Sequence, residues 1–315
     1  MAATLNSKPF SVASVTVAFN GAAQLPGHLD ALRRQTLSLD EIVVVDNASQ
    51  DGTVAMLSSN YPGVKLLRLG ENTGVGGGFA AGIEYAAQKH DWIWLFDQDS
   101  RPASDCLEQL QEALTSDPEP SSIAVLAPVC VHPKNGMTYT GVSWRGGRLL
   151  PERTDPGKPI TFVDSVISSG SLIRRDAILE AGLPRSDFFM DFVDHEHCLR
   201  LRRKGFRIGV VNRAILHHAL GDSAKFNIFG WTKFWTDHAP WREYYMTRNH
   251  IFTVWNYYPQ WRARSATTLR LARHAAGILI FGKEKLACLR AMHEGWIDGR
   301  AGKLGVRART PDLSI

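Results

Sequence analysis

The sequence predicts an α/β fold: a doubly wound, mostly parallel sheet followed by a helical C-terminal region. Three observations predict it. Over the first hundred residues, apolar runs of strand length alternate with amphipathic stretches of helical period. The runs are apolar throughout rather than at every second position, as strands are when helices cover both faces of a sheet. Polar or acidic residues recur just past the ends of the runs, and in such sheets ligands bind off the carboxyl ends of the strands. With 315 residues, 44% hydrophobic and 21% charged, the chain can bury a full core, which excludes a disordered, collagenous or disulfide-framework protein.

Residues 12–19 are rich in Val with small partners and end at Asn20-Gly21, a buried strand followed by a turn. Leu25, Leu29, Leu32 and Leu37 then change the period to that of a helix. Glu41 to Asp46 form the second strand, 53–59 a helix and 64–69 the third strand. A glycine-rich turn opens a helix over 79–88, and 92–96 is the fourth strand, ending in Asp97-Gln98-Asp99. Helical patterning returns over 107–115 and 194–204, with a short strand at 207–211. Residues 131–165, rich in Gly and Pro, are expected to form loop and hairpin, with a strand within 137–144. Beyond Gly221 the chain is Trp- and Arg-rich with helical patterning over 241–255 and 260–297, so we divide it into 1–220 and 221–315.

Charge is divided the same way. Lys and Arg number 15 against 24 acids through residue 199, and 21 against 7 from residue 200 onward, giving a net +5. An acidic half followed by a basic half suggests a surface that meets anions: nucleic acid, anionic headgroups or a phosphorylated substrate. Cys106, Cys130, Cys198 and Cys288 are far apart, with no C-x-x-C, which argues against a zinc ribbon or redox pair and fits a reducing compartment. Residues 1–9 lack the features of a secretory signal, so a cytoplasmic chain is expected. The longest apolar stretch, 275–282, falls short of the roughly 18–20 residues a membrane span needs.

The densest chemical signal is Asp97-Gln98-Asp99. Two carboxylates so close repel unless something positive lies between them, and a hard cation such as Mg²⁺ or Mn²⁺ suits oxygen ligands and substrate phosphates. The competing explanation is a helix cap by Asp99 and Ser100. Asp46, ending the most apolar strand, can accept from a nucleotide's base or ribose, or else begin an Asx-turn. Asn72 to Gly78 offers backbone N–H groups to phosphate at a helix start. Residues 76–81 also fit G-x-G-x-x-A, although after the third strand rather than the first, and close helix packing explains the glycines nearly as well. Residues 191–197 hold Asp191, Asp194 and Glu196 with His195 and His197. This is either a general base at the head of a helix, or an acidic first turn pairing with Arg200, Arg202 and Arg203. His217-His218 follows a strand-like stretch: either one of the two completes a metal site with Asp99, or both are satisfied structural histidines.

Together these residues resemble the inverting glycosyltransferases of family 2, which have the GT-A fold. The match covers about residues 10–255. It is carried by Val17-Ala18-Phe19-Asn20, by 43–49 and 72–78, and by the D-x-D element at Asp97 to Asp99. Within that family the chain looks most like bacterial enzymes that use dTDP-L-rhamnose. The pointers are 96–102, Ile167-Ser168-Ser169-Gly170, 189–194 and Tyr244-Tyr245-Met246-Thr247-Arg248-Asn249. Many relatives have an E-D pair where this chain has Val193-Asp194, a departure that touches the Glu and leaves the Asp.

The resemblance implies a catalytic domain at 1–220 and an acceptor or membrane side at 221–315. It implies a nucleotide held by Ala18, Asn20, Asp46, Asn72, Gly74, Gly78, Asp97 and Arg248, with Arg248 clamping the diphosphate. Mg²⁺ or Mn²⁺ would sit on Asp97, Asp99 and His218, and Asp194 would be the base that deprotonates an acceptor hydroxyl. The implied acceptor is a glycan or lipid-linked glycan of a cell-surface polysaccharide or rhamnolipid pathway. Basic, Trp-bearing helices would rest on the inner membrane face. Two other functions compete: an NAD-dependent oxidoreductase using the 76–81 turn, and a nucleic-acid binder using the basic half. Neither accounts for the acidic edge, so no nucleic-acid partner is expected.

Overall fold

A computed structural model describes residues 10–145, 148–155, 157–219, 224–228 and 231–307. Residues 1–9, where a secretory signal was not expected, and the boundary placed near 220 lie outside the described residues. β1 (Val12–Ala18), α1 (Leu25–Arg33), β2 (Glu41–Asp46), α2 (Thr53–Asn60), β3 (Lys65–Arg68), α3 (Gly74–Ala86) and β4 (Trp92–Asp97) follow in turn. The four strands lie parallel in the order β3-β2-β1-β4. Successive side chains of a strand point to opposite faces, and each face here has its own core. Val44, Trp94 and Phe96 pack with Leu25, Leu29 and Leu32 of α1. Val43, Val45, Ile93 and Leu95 pack with Phe79 and Ile83 of α3 on the other side. This explains why these strands read as unbroken apolar runs.

The second half of the sheet is mixed. β5 (Arg101–Pro102), α4 (Cys106–Ser116) and β6 (Ile123–Val131) come next, then β7 (Thr138–Tyr139), β8 (Val142–Arg145), β9 (Arg148–Pro151), β10 (Ile160–Val163) and β11 (Leu172–Arg174). The strand expected within 137–144 is split at Gly141, which has φ 88°. β7 stays on β6, whereas β8 leaves the sheet to pair with β9. α5 (Arg175–Ala181), α6 (Val193–Arg203) and β12 (Arg207–His217) follow. β11 inserts antiparallel between β4 and β6, and β12 lies parallel to β6 with β10 at the edge. β12 passes the expected end at 211 through a register shift between Val211 and Ile215.

β13 (Ala224–Ile228) and β14 (Trp231–Trp235) form a separate antiparallel pair. α7 (Pro240–Tyr257), α8 (Trp261–Phe281) and α9 (Lys285–Ala301) complete the described chain. The continuous helix expected over 260–297 is therefore two helices, broken after Phe281 at Gly282. Tyr244 and Tyr245 of α7 cluster with Ala291 of α9 and with Phe189 from the loop before α6. The helical region is thus packed onto the loop that carries the acidic cluster. Among the described residues no helix is long and apolar enough to cross a membrane. All four cysteines are buried and free.

Candidate active site

Parallel register brings the strand-end residues to one edge. Ala18 lies beside Asp46, and Val17 beside Asp97. Asp46 is 2% exposed, and its carboxylate accepts only a long bond of 3.4 Å from the Ser49 N–H among the described residues. The Asx-turn is therefore weak, and the buried carboxylate keeps accepting capacity. Asn20 has φ 49°; its N–H donates to Ser49 Oγ at 2.9 Å and its Oδ1 accepts from Gln50 N–H at 2.9 Å. Gln98 braces the same turn by accepting from Phe19 N–H at 2.9 Å and donating back to Phe19 O at 3.3 Å.

The Asp97–Ser100 turn is not a helix cap. Ser100 Oγ donates to Asp97 O at 2.7 Å, Arg101 and Pro102 pair with the end of β12, and the next helix starts only at Cys106. That β5–β12 pairing sets Leu216 against Pro102 and His217 against Arg101, which delivers His218 to the two acids. Its Nε2 lies 3.4 Å from Asp97 Oδ2 and its Nδ1 3.3 Å from Asp99 Oδ1. Burial works against a charged ring, but the two carboxylates outweigh it and push His218 up to about 10. Burial would likewise raise Asp99, yet the contact with His218 and its charge hold that carboxyl below its usual value. An imidazolium thus occupies the position between carboxylates where a cation would be needed.

Among the described residues no group of three or more His, Cys, Asp or Glu is arranged to hold a metal ion. The donor types nevertheless fit one. Two carboxylates and an imidazole suit Mg²⁺ or Mn²⁺, and His218 Nδ1 is buried without a hydrogen-bond partner although it faces Asp99. A structural histidine that sequence analysis missed fixes this turn from behind. His28 Nε2 meets Thr16 Oγ1 at 2.9 Å and its Nδ1 donates to Ser100 O at 2.5 Å, while burial lowers its pKa to about 4. The available signal was its place on the apolar face of α1, between Leu25 and Leu29.

The acidic cluster resolves into separate roles. Glu196 is fully buried and takes Arg200 Nε at 2.9 and 3.0 Å together with the Tyr257 hydroxyl. Arg202 pairs with Asp164. His197 is buried against Gly182 O at 3.1 Å, and burial lowers its pKa to about 3. Asp191 receives Arg242 through both Nε and Nη2 at 3.2 Å. Burial would lower the Arg242 pKa, but Asp191 outweighs it, with smaller contributions from the charges of Glu243 and Asp97. Nothing in the sequence singled out Arg242. Asp194, in the first turn of α6, has no ion pair among the described residues, and its Oδ1 accepts from His195 N–H at 2.8 Å.

Asp194 lines a crevice of only about 10 Å³ with Ser168, His197 and Cys198. The neighbouring Ser169 Oγ accepts from Asp97 N–H at 3.2 Å, so the 167–170 segment joins the strand-end acids to Asp194. All five non-glycine residues with positive φ among those described, Asn20, Ala48, Phe189, Asp191 and Phe192, lie on these loops. Such conformations cost energy and persist where the surroundings enforce them. For the 187–191 loop the enforcers are Arg248 and Asn249. Arg248 is 1% exposed and donates to the carbonyls of Asp187, Phe188 and Gly305 and to Asn249 Oδ1. Asn249 Nδ2 donates to the carbonyls of Phe188, Met190 and Asp191 at 2.7–2.9 Å. The expectation that Arg248 clamps a diphosphate is corrected accordingly: its guanidinium is consumed by backbone carbonyls and holds the 187–191 loop.

The 72–78 segment is corrected in the same direction. α3 begins at Gly74 rather than at 79. Asn72 Oδ1 accepts from Asn47 Nδ2 at 3.0 Å and Gly74 N–H at 2.9 Å, so it knits two turns together. Gly74 has φ 70°, and a Cβ there would collide with Phe189 O; at Gly78 it would collide with Val17. These glycines permit close approach of α3 to the acidic loop and to β1, which is the packing explanation, and they leave the dinucleotide pattern without a structural basis.

A larger cleft of about 470 Å³ is lined by the β8–β9 hairpin, His195, Tyr139 and α8.

The sheet with acids gathered off its strand ends, joined to a helical C-terminal region, has the GT-A fold. The glycosyl transferase family 2 profile matches residues 14–180, and the chain belongs to that family. It is 31% identical over 212 residues to the dTDP-rhamnosyl transferase RfbF of Shigella flexneri, covering 66% of this chain and 68% of the relative. It is also 31% identical over 225 residues to the galactofuranosyltransferase GlfT1 of Mycobacterium tuberculosis, covering 68% and 72%. Among solved structures, GalNAc-T7 with UDP, GalNAc and Mn²⁺ superposes with a TM-score of 0.59 at 16% identity, over 78% of this chain and 47% of that one. TarS of S. aureus superposes with 0.52 at 13% identity, over 87% and 44%. The chain spans about half the length of these solved structures, and the likeness is one of fold.

Proposed function

We propose that the protein transfers L-rhamnose from dTDP-L-rhamnose to a hydroxyl of a glycan or lipid-linked glycan acceptor with inversion, in synthesis of a cell-surface polysaccharide or rhamnolipid. The observation that carries the mechanism is Asp194: alone among the acids of the 191–196 cluster it has no basic partner among the described residues. In this reading Asp46 accepts from the thymine or ribose, with Ala18 and Asn20 forming the adjoining floor. Asp97 and Asp99 would hold Mg²⁺ or Mn²⁺, with His218 a further ligand once it gives up its ring proton, and the ion would supply charge neutralisation to the diphosphate. Asp194 takes the proton of the acceptor hydroxyl as that oxygen bonds to the anomeric carbon, and the bond from that carbon to the diphosphate oxygen breaks on the opposite face. Arg242, held by Asp191, takes the place of Arg248 as the candidate cation for the diphosphate.

The donor rests on similarity to a dTDP-rhamnosyl transferase. A second reading, a different donor such as a UDP-linked sugar, is favoured by the equal identity to a galactofuranosyltransferase. We place the protein in the cytoplasm, peripherally on the inner membrane face. Leu279, Ile280 and Leu286 stand exposed around the α8–α9 turn beside Lys283 and Lys285, the composition of an interfacial anchor.

Asp194→Asn tests the mechanism. It is expected to retain folding and nucleotide binding while transfer falls roughly 10²–10⁴-fold, the usual contribution of a general base. Undiminished transfer with intact binding would refute Asp194 as the base.

A further inference from the structure

The 470 Å³ cleft is chemically two-sided. One wall is apolar and firmly built: Trp144, Leu149 and Pro151 from the β8–β9 hairpin. The Trp144 ring lies 4.0 Å from that of Tyr258, and the Trp144 N–H donates to Asp164 Oδ2 at 2.5 Å, Asp164 being itself paired with Arg202. The facing wall is α8, which contributes Arg270 and Arg273. Among the described residues neither arginine has a carboxylate partner. Arg270 reaches solvent, and the protein packed around its guanidinium lowers its pKa with nothing acidic to offset it. His250, also lining the cleft, is held well below its usual value by burial and then by the charge of Arg270. The net charge offered to a ligand is therefore that of two arginines opposite an apolar face.

His195 lies in the floor, oriented by contact of its Nδ1 with Ser165 Oγ at 2.6 Å, and is the chain neighbour of Asp194. The volume falls within the roughly 300–1,000 Å³ of small-molecule sites. A guanidinium pair is suited to phosphate oxygens, and stable burial of both walls requires a ligand that is anionic at one side and apolar along the other.

We propose that this cleft is the acceptor subsite and that it takes an anionic amphiphile, a phosphorylated lipid chain. The phosphate meets Arg270 and Arg273, and the chain lies along Trp144, Leu149 and Pro151. The assignment of this ligand as acceptor rests on the transferase reading, because it is Asp194 beside His195 that makes the cleft an acceptor site. The ligand is committed to the acceptor rather than to the membrane surface, since Arg270 and Arg273, although exposed to solvent, line this cleft, whereas Leu279, Ile280 and Leu286 do not.

The test is calorimetric titration of the full chain with dodecyl phosphate below its micellar concentration, with dodecyl maltoside and inorganic phosphate as separate probes. Dodecyl phosphate is expected to bind at least about tenfold more tightly than either. The preference should decline with added NaCl, as a charge contact requires, and should vanish in the double variant Arg270→Ala, Arg273→Ala. Equal binding of dodecyl maltoside, equal binding of inorganic phosphate, or a preference that survives the double variant would overturn the proposal. So would a double variant that loses only phosphatidylglycerol vesicle binding, because the arginines would then serve the membrane. Nucleotide binding is measured on the same protein. A parent protein that binds dTDP but shows no dodecyl phosphate preference sinks this inference alone; a parent that binds no nucleotide sinks the transferase reading and leaves the amphiphile result standing.

Discussion

Replacing Asn249 by Leu removes the side-chain amide that holds the acidic loop while roughly preserving its volume. Asn249 is fully buried, and its Nδ2 serves three carbonyls, of which Phe188 O keeps a second donor in Arg248 Nη2 at 3.0 Å. Met190 O, Asp191 O and the Arg248 Nε–H lose their partners among the described residues. Each buried polar group left unpaired costs about 1–3 kcal/mol, and because Met190 O and Asp191 O are only part-buried the lower end applies to them, so Asn249→Leu is expected to destabilise by about 3–5 kcal/mol. At a few degrees per kcal/mol this lowers Tm on the order of 10 °C. Thermal unfolding followed by circular dichroism measures it. A Tm within about 2 °C of the parent would refute the claim that this amide enforces the positive-φ loop.

Two further outcomes follow from the site and the C-terminal helices. His218 has its folded pKa raised from 6.5 to about 10, so its stabilising contact with Asp97 and Asp99 is fully present below pH 6.5 and is lost as pH rises through about 10. The lowered Asp99 adds the opposite limit, a contribution lost as pH falls through its depressed value. The Tm deficit of His218→Asn should accordingly be largest from mildly acidic to neutral pH and close toward pH 10; a deficit that stays constant across that range would contradict the ion-pair account. Sedimentation with phosphatidylglycerol vesicles checks the peripheral anchor: the parent should pellet with them and Leu279→Ser, Leu286→Ser should not, whereas equal pelleting would remove these residues from any membrane contact.

The sheet and its acidic edge were legible because each strand carries its signal locally. Val43, Val44 and Val45 are apolar on both faces, and Asp46 and Asp97 mark where the strand leaves its cover. What failed depended on partners distant in sequence. Arg248 looked like a free cation in a helix, and only the fold shows that Asp187, Phe188 and Gly305 surround it. The glycines of 72–78 suggested phosphate, yet Phe189, more than a hundred residues away, is what Gly74 accommodates. Arg242 carried no pattern of its own, since its meaning lies in Asp191 and Asp97. β6 escaped notice although Pro118, Pro120 and Asn135-Gly136 punctuate its apolar run on both sides, whereas His218 was recognised and reaches the acids through the β5–β12 pairing.

Calorimetric binding of dTDP, UDP, GDP and NAD to the purified protein, each with and without Mn²⁺, tests the central claim most directly. The account predicts tight dTDP binding that needs Mn²⁺ and is lost in Asp99→Asn. Metal-dependent binding of UDP or GDP alone would keep the strand-edge site and replace the donor. Metal-independent binding of NAD, with no response to Asp99→Asn, would contradict the account.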